Sequence, residues 1–179
     1  KKNYIHSMKS VEADKRIVAV DIGAHVGYWT SYMSEDFEQV YSFEPCKENF
    51  ECLLVNKADN VTAYNVAIGK ENKKTDLCST SPENDVRHKQ EVEIKTLDSF
   101  NLCPDFIKID IQGYELEALA GALNTIKNHS PVIVLECCTS KDMREYNKFM
   151  RKIGYEQRST YRKETIYKKK TKKRTAWSI

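Results

Sequence analysis

The sequence predicts an α/β protein: an open, mostly parallel sheet with helices on both faces. Three observations carry that prediction. Segments suited to strand and to helix alternate along the chain. The runs at 17–22 (IVAVDI), 105–111 (DFIKIDI) and 131–136 (PVIVLE) are near-continuously apolar, as strands buried on both faces must be. Acids gather where these runs finish, at Asp21, Asp110 and Glu136, and Glu44 follows a fourth short run. Open α/β sheets place their ligands at such carboxyl ends.

Taken in order, 17–22 is a β-branched strand and 27–36 opens a helix after a glycine turn. Residues 40–43 form a short second strand. Pro45 suits the first turn of a helix over 45–56, with Phe50, Leu53 and Leu54 on one face. A third strand is expected over 61–68, ending at Gly69. The polar stretch 70–90 holds a strand near 75–79 and then a loop, SPENDVRHKQ. Residues 92–96 alternate like a sheet edge. After the strand at 105–111, the span 114–127 reads as one long helix, with Leu116, Leu119, Ala120, Leu123 and Ile126 at helical spacing. The strand at 131–136 precedes a helix over 141–152. Residues 155–160 and 165–169 suit a closing hairpin.

The chain has 179 residues, enough for one domain with one core. With 40% apolar and 31% charged residues, it is neither disordered nor low in complexity. No apolar stretch approaches the roughly 18 residues that a membrane span needs. No leader peptide is visible, although the chain opens at Lys1 rather than Met. None of the six cysteines forms a CxxC pair and no histidines sit at zinc-finger spacing, so no metal site is expected. Most cysteines fall within apolar patterns and read as small reduced hydrophobes, which suggests a cytoplasmic setting. Eight basic residues against Glu164 give 162–179 a charge of +7, which leaves −4 for the rest of a chain whose net charge is +3. The basic tail, from about residue 168, suits a solvated end or a lysine-protected sheet edge. Attraction to a nucleic acid is the other reading.

The turn after the first strand runs Asp21-Ile-Gly23-Ala24-His25-Val-Gly27. It does not fit the GxGxxG of dinucleotide sites. A carboxylate at the end of the first strand would repel a diphosphate and attract a cationic amino-acid tail. Glycines at 23 and 27 permit close backbone approach. Glu44 can accept both hydroxyls of a ribose. A ligand with an ammonium group, a sulfonium and a ribose is S-adenosylmethionine.

At these residues the chain resembles the FkbM-type methyltransferases, within the Rossmann-like class I fold. The resemblance runs from residue 17 to about 155 and rests on six pieces in order: VDIGAHVGYW, VYSFEP, NVAIG, TLDSF, DFIKIDIQGYELEALAGA and PVIVLE. It implies a seven-strand sheet with the last strand antiparallel and S-adenosyl-L-methionine as cofactor. It also implies O-methylation of a sugar or another small molecule. It carries Asp21 and Glu44 over as ligands of the methionyl amine and the ribose, with Gly23, Ala24, His25 and Gly27 forming the cofactor loop. Val66 and Ala67 would flank the adenine. The chain departs from the family at His25, where Asn is common, at Gln112, where Glu is common, and in its Lys-rich C-terminus.

Several side chains admit two readings. His25 donates to a neighbouring carbonyl or faces the cofactor carboxylate. Phe106, Lys108 and Asp110 share one face of a strand, and Val132, Val134 and Glu136 share one face of the next. Lys108 therefore pairs with Glu136 across the strands, or Asp110 and Glu136 stand at the mouth as catalytic groups with Asp110 also near the cofactor. A hydroxyl acceptor must lose its proton, which a carboxylate can take. Asp110 is the first candidate base, and His88 is a weaker candidate on the substrate side. The rival functions are a nucleic-acid methyltransferase and a binding module without turnover. No Asn-Pro-Pro-aromatic motif follows the fourth main strand, where the residues are DIQGYE.

Overall fold

The structure, a computed structural model, describes residues 2–80 and 87–170. The elements in chain order are α1 (Lys2–Met8), β1 (Val18–Ile22), α2 (Tyr28–Asp36), β2 (Gln39–Phe43), α3 (Lys47–Asn56), β3 (Val61–Tyr64), β4 (Ala67–Ile68), β5 (Lys73–Thr80) and β6 (Arg87–Lys95). After a 3-10 turn at Leu97–Phe100 come β7 (Phe106–Ile109), α4 (Glu115–Ala120), α5 (Leu123–His129), β8 (Val132–Glu136), α6 (Ser140–Lys152), β9 (Tyr155–Tyr161) and β10 (Glu164–Lys169).

Seven strands form the main sheet in the order β3-β2-β1-β7-β8-β10-β9, and a second sheet is ordered β4-β6-β5. All main-sheet pairings are parallel except those of β10, which runs antiparallel to both β8 and β9. This is the seven-strand sheet with its last strand antiparallel that the resemblance implies. The order reverses at β1, so the carboxyl ends of β1, β2 and β7 surround the switch point.

Alternation along each strand divides the core between the two faces. In β7, Phe106 joins Ala19, Val40, Val134 and Ile166 on one side, beneath Tyr4, Met8, Trp29 and Met33 of α1 and α2. Ile107 and Ile109 join Val20, Ile22, Ile133 and Leu135 on the other, with Leu119, Ile126, Tyr146 and Met150 from α4, α5 and α6. Each face is therefore dry, which is why these strands read as continuous apolar runs.

The structure corrects several sequence-based expectations. The strand expected over 61–68 breaks after Tyr64. Asn65 donates its side-chain amide to the carbonyls of Glu44 (2.8 Å) and Pro45 (3.1 Å), and Ala67 leaves the main sheet to pair with Ile94. The helix expected over 114–127 is two helices. At the break, the Cα of Gly121 packs against the carbonyl of Gly69, where any Cβ would collide. Asp98 then receives the backbone N–H groups of Asn124 (3.1 Å) and Thr125 (2.8 Å), capping α5 from a distant loop. Periodicity could not show the break, because both halves bury the same side.

The loop expected at 81–90 falls mostly outside the described residues, but its last four residues open β6. The tail beyond Lys170 also lies outside them. Helix α1 carried too few turns to be read from its pattern; tertiary packing holds it, with Tyr4 edge-on to Trp29 (5.4 Å) and donating to Asp36 (2.6 Å). Helix α6 begins one residue early because Thr139 and Asp142 form a reciprocal capping box. Among the described residues the cysteines are less buried than their apolar settings suggested: Cys137 is buried, Cys46 is half-buried, and Cys52, Cys103 and Cys138 are exposed. Among the described residues no helix is long and apolar enough to cross a membrane.

Candidate active site

The turn after β1 is built around Glu44. Gly23 and Ala24 both donate backbone N–H groups to the carbonyl of Phe43, at 3.0 and 3.1 Å. His25 then adopts φ 52°, a left-handed conformation that Asn and His tolerate better than most residues. Its backbone N–H thereby reaches Glu44 Oε2 at 2.8 Å, while Cys46 N–H reaches Oε1 at 3.0 Å. The ring of His25 is exposed; the backbone is the part used. Gly23 is required by crowding: a Cβ there would run into the carbonyl of Asp110. The two loops expected to form the site are therefore in direct contact.

Beside them lies a cavity of about 590 Å³, walled by Ile22, Gly23, Phe43, Pro45, Val66, Ala67 and Ile111, and farther out by residues of β5 and β6. That volume suits a small-molecule site. Of the residues predicted for the cofactor, Gly23, Val66 and Ala67 line this cavity directly. Glu44 is buried between two of its wall residues, Phe43 and Pro45. Gln90 of β6 ties the outer wall to the end of β2, accepting from Lys47 N–H (3.1 Å) and donating to the Pro45 carbonyl (3.1 Å).

Asp21 is wholly buried. Thr30 Oγ1 donates to its Oδ2 at 2.8 Å, and Lys108 Nζ lies 3.4 Å from its Oδ1. Lys108 is itself buried and lies 3.3 Å from Asp110 Oδ2. Of the two readings offered for Lys108, the pair with Glu136 is not formed; Asp21 and Asp110 are its partners. In register, Lys108 stands opposite Val134 on β8 and opposite Asp21 on β1. Burial works against the charge of Lys108, but the two carboxylates outweigh it and hold the ammonium above the ordinary lysine range. Burial raises the pKa of Asp21, against the pull of Lys108 and Thr30.

Asp110 is the half-exposed member of this group, with 35% of its side chain open. Glu136 lies next to it; burial first, and then the neighbouring Asp110 carboxylate, raise the pKa of Glu136. Lys163 approaches Glu136 at 4.0 Å from outside. Glu164 stands directly across from Glu136 in β10. The mouth thus holds Asp110, Glu136 and Glu164, with the buried Lys108 ammonium beside Asp110 and acting on Glu164. Among the described residues no group of three or more His, Cys, Asp or Glu is placed to hold a metal ion.

Two contributors were missed from sequence. Glu115 is buried and accepts from Ile111 N–H (3.2 Å), Gly113 N–H (2.8 Å) and Tyr146 Oη (2.7 Å). It fixes the turn that follows Asp110. Its signal was present: an acid two residues after a glycine, entering a helix. Glu164 gave no signal, because its role depends on strand order. His88 pairs in register with Ser79 at the outer end of the β5–β6 hairpin, and its side chain lies outside the described residues.

A family model matches the part of the chain that holds the glycine turn, Glu44 and Asp110. The model of the methyltransferase FkbM domain covers residues 21–157. The chain belongs to the FkbM methyltransferase family. No curated protein matches it. Among solved structures, the methyltransferase FkbM from Methylobacillus flagellatus KT superposes with a TM-score of 0.67 at 22% identity, over 86% of this chain and 44% of that one. The chain therefore spans less than half the length of that FkbM relative. The precorrin-6y C5,15-methyltransferase from Geobacter metallireducens GS-15 gives 0.60 at 17% identity, over 93% and 85% of the two chains. TYW2 of M. jannaschii, in complex with AdoMet, gives 0.53 at 13% identity, over 94% and 75%. These likenesses show the fold.

Proposed function

We propose that this FkbM-family domain binds S-adenosylmethionine and transfers its methyl group to an oxygen of a sugar or another small molecule. The observation that carries the reading is the placement of Glu44. Its carboxylate is anchored to the glycine turn by His25 N–H and flanked by the walls of the 590 Å³ cavity. Two of its acceptor positions are used by backbone N–H groups, and the others are left for a pair of hydroxyls. The apolar walls from Phe43, Val66 and Ile111 suit a planar base. Gly23, Ala24, His25 and Gly27 supply the turn beneath the ligand.

Asp21 is buried against Lys108 and Thr30, and in this reading its charge also acts on the mouth through Lys108. Of the acids at the mouth, Asp110 is the one open to a ligand and coupled to this pair.

When bound, the cofactor supplies an electrophilic methyl on a positively charged sulfur. The protein must hold an acceptor hydroxyl in line and remove its proton. Asp110 is placed for this, steadied by Lys108 and by the turn that Glu115 fixes. Glu136, whose pKa burial raises, can share a proton with it. Calorimetric titration with S-adenosylmethionine, S-adenosylhomocysteine and NAD tests the reading. The first two are expected to bind, and tight NAD binding with neither of them binding would refute it.

A further inference from the structure

A second cavity of about 410 Å³ lies away from the one described, lined by Lys2, Asn3, Tyr4, Tyr28, Trp29 and Arg162. These residues come from α1, the start of α2 and the β9–β10 turn, three segments far apart in the chain. We propose that this cavity is the acceptor subsite and that it takes a small hydroxylated ring carrying a carboxylate or a phosphate. The assignment rests on the methyltransferase reading above and narrows its substrate class.

Two features give the ligand its chemistry. Three of the six lining residues are aromatic, and flat apolar faces hold a ring. The cationic residues are Lys2 and Arg162, and among the described residues no carboxylate stands within ion-pair distance of either. Arg162 has φ 56° and its guanidinium lies 5.9 Å from the Tyr161 ring centre. An unpaired guanidinium beside aromatic faces selects an anionic group on a ring.

The cavity also adjoins the chemistry. Trp29 is one of its walls, and Lys108 Nζ lies 5.6 Å from the centre of that ring. The same Nζ is 3.3 Å from Asp110 Oδ2. The wall and the candidate base are thus neighbours of one ammonium. Asn3, in the same wall, donates to Glu164 Oε1 at 3.0 Å, so the cationic cavity borders the acidic mouth. In this proposal a ring lodged on Trp29 with its anion at Arg162 turns a hydroxyl towards Asp110, which does not line the cavity but neighbours its Trp29 wall through Lys108.

The test uses matched probes that differ in charge: 4-hydroxybenzoate against 4-hydroxybenzamide, and galacturonate against galactose. Binding of each is measured calorimetrically with S-adenosylhomocysteine present, on wild type and on Arg162→Gln and Lys2→Gln, and the S-adenosylhomocysteine affinity of each sample is measured first. In at least one pair the anionic probe should bind more tightly by about tenfold, the effect of one hydrogen bond to a charged group. Arg162→Gln should abolish that preference and leave S-adenosylhomocysteine affinity and melting temperature unchanged. If S-adenosylhomocysteine binds but neither anionic probe is preferred, or the preference survives both substitutions, the acceptor assignment fails and the cofactor reading stands. If S-adenosylhomocysteine does not bind wild type, the cofactor reading fails and takes the acceptor assignment with it.

Discussion

Lys108 and Asp21 stand opposite each other in adjacent parallel strands, buried, with Nζ 3.4 Å from Oδ1. Both lie on the face that carries Ala19 and Phe106, beneath α1 and α2. Removing Lys108 leaves Asp21 buried without its cation, which costs about 3–5 kcal/mol, whereas removing the Asp21 charge leaves Lys108 with Asp110 at 3.3 Å. Lys108→Met should therefore lower stability by that order in chemical denaturation, and Asp21→Asn by less. The double variant should lose much less than the two combined. Additive losses would mean that the pair is not coupled.

The same geometry decides what Asp110→Asn does. Lys108 keeps Asp21 as a partner when Asp110 loses its charge. Asp110 is also partly exposed, so stability should change by no more than about 1 kcal/mol. Turnover should fall by roughly 10²–10⁴, the usual contribution of a general base, with S-adenosylmethionine affinity little altered. A melting temperature that collapses while turnover per folded molecule holds would make Asp110 a structural residue.

Much of the site was legible because strand ends announce themselves. Asp21, Glu44, Asp110 and Glu136 each finish an apolar run, and the sheet brings those ends together. The partner of Lys108 was not legible. Alternation put Lys108 on the face shared by Asp110, but the choice between Asp21 and Glu136 depended on register against β1 and β8. Sequence spacing does not contain that register. The break at Gly121 was hidden for a related reason, since it answers to Gly69 and Asp98, both far away in the chain. Helix α1 has only Tyr4 and Met8 to declare it, and their meaning appears once Trp29 and Met33 lie beneath them.

Glu44 should be separable from Asp110. Glu44→Ala removes a charged acceptor, so affinity for S-adenosylmethionine should drop at least about tenfold. His25 and Cys46 N–H groups lose their partner as well, and a stability cost of about 1–2 kcal/mol is expected from that. Titration of the folded variant measures the first and denaturation the second. Unchanged affinity would remove Glu44 from the cofactor site.

Glu164 gives a prediction whose sign depends on pH. Its Oε1 accepts from Asn3, but its Oε2 is buried without a partner. It also faces Glu136 directly across β10 and β8, and like charges so placed repel. Burial chiefly raises its pKa, opposed by Asn3 and Lys108 and reinforced by Asp110. A carboxyl with a raised folded-state pKa keeps its proton in the folded chain while the unfolded chain, with a value of about 4.3, has released it. Stability therefore falls as pH rises from about 4.3 through the folded-state value. Glu136 has the same sign. Glu164→Gln removes the ionisable group while keeping an oxygen for Asn3. Its melting temperature should exceed that of wild type at pH 7, and the difference should shrink towards pH 4, where wild type is mostly protonated in both states. Melting curves from pH 4 to pH 8 on both proteins measure this. A variant less stable than wild type at pH 7 would show that the attraction of Lys108 outweighs burial, and that Glu164 serves the fold as an ion.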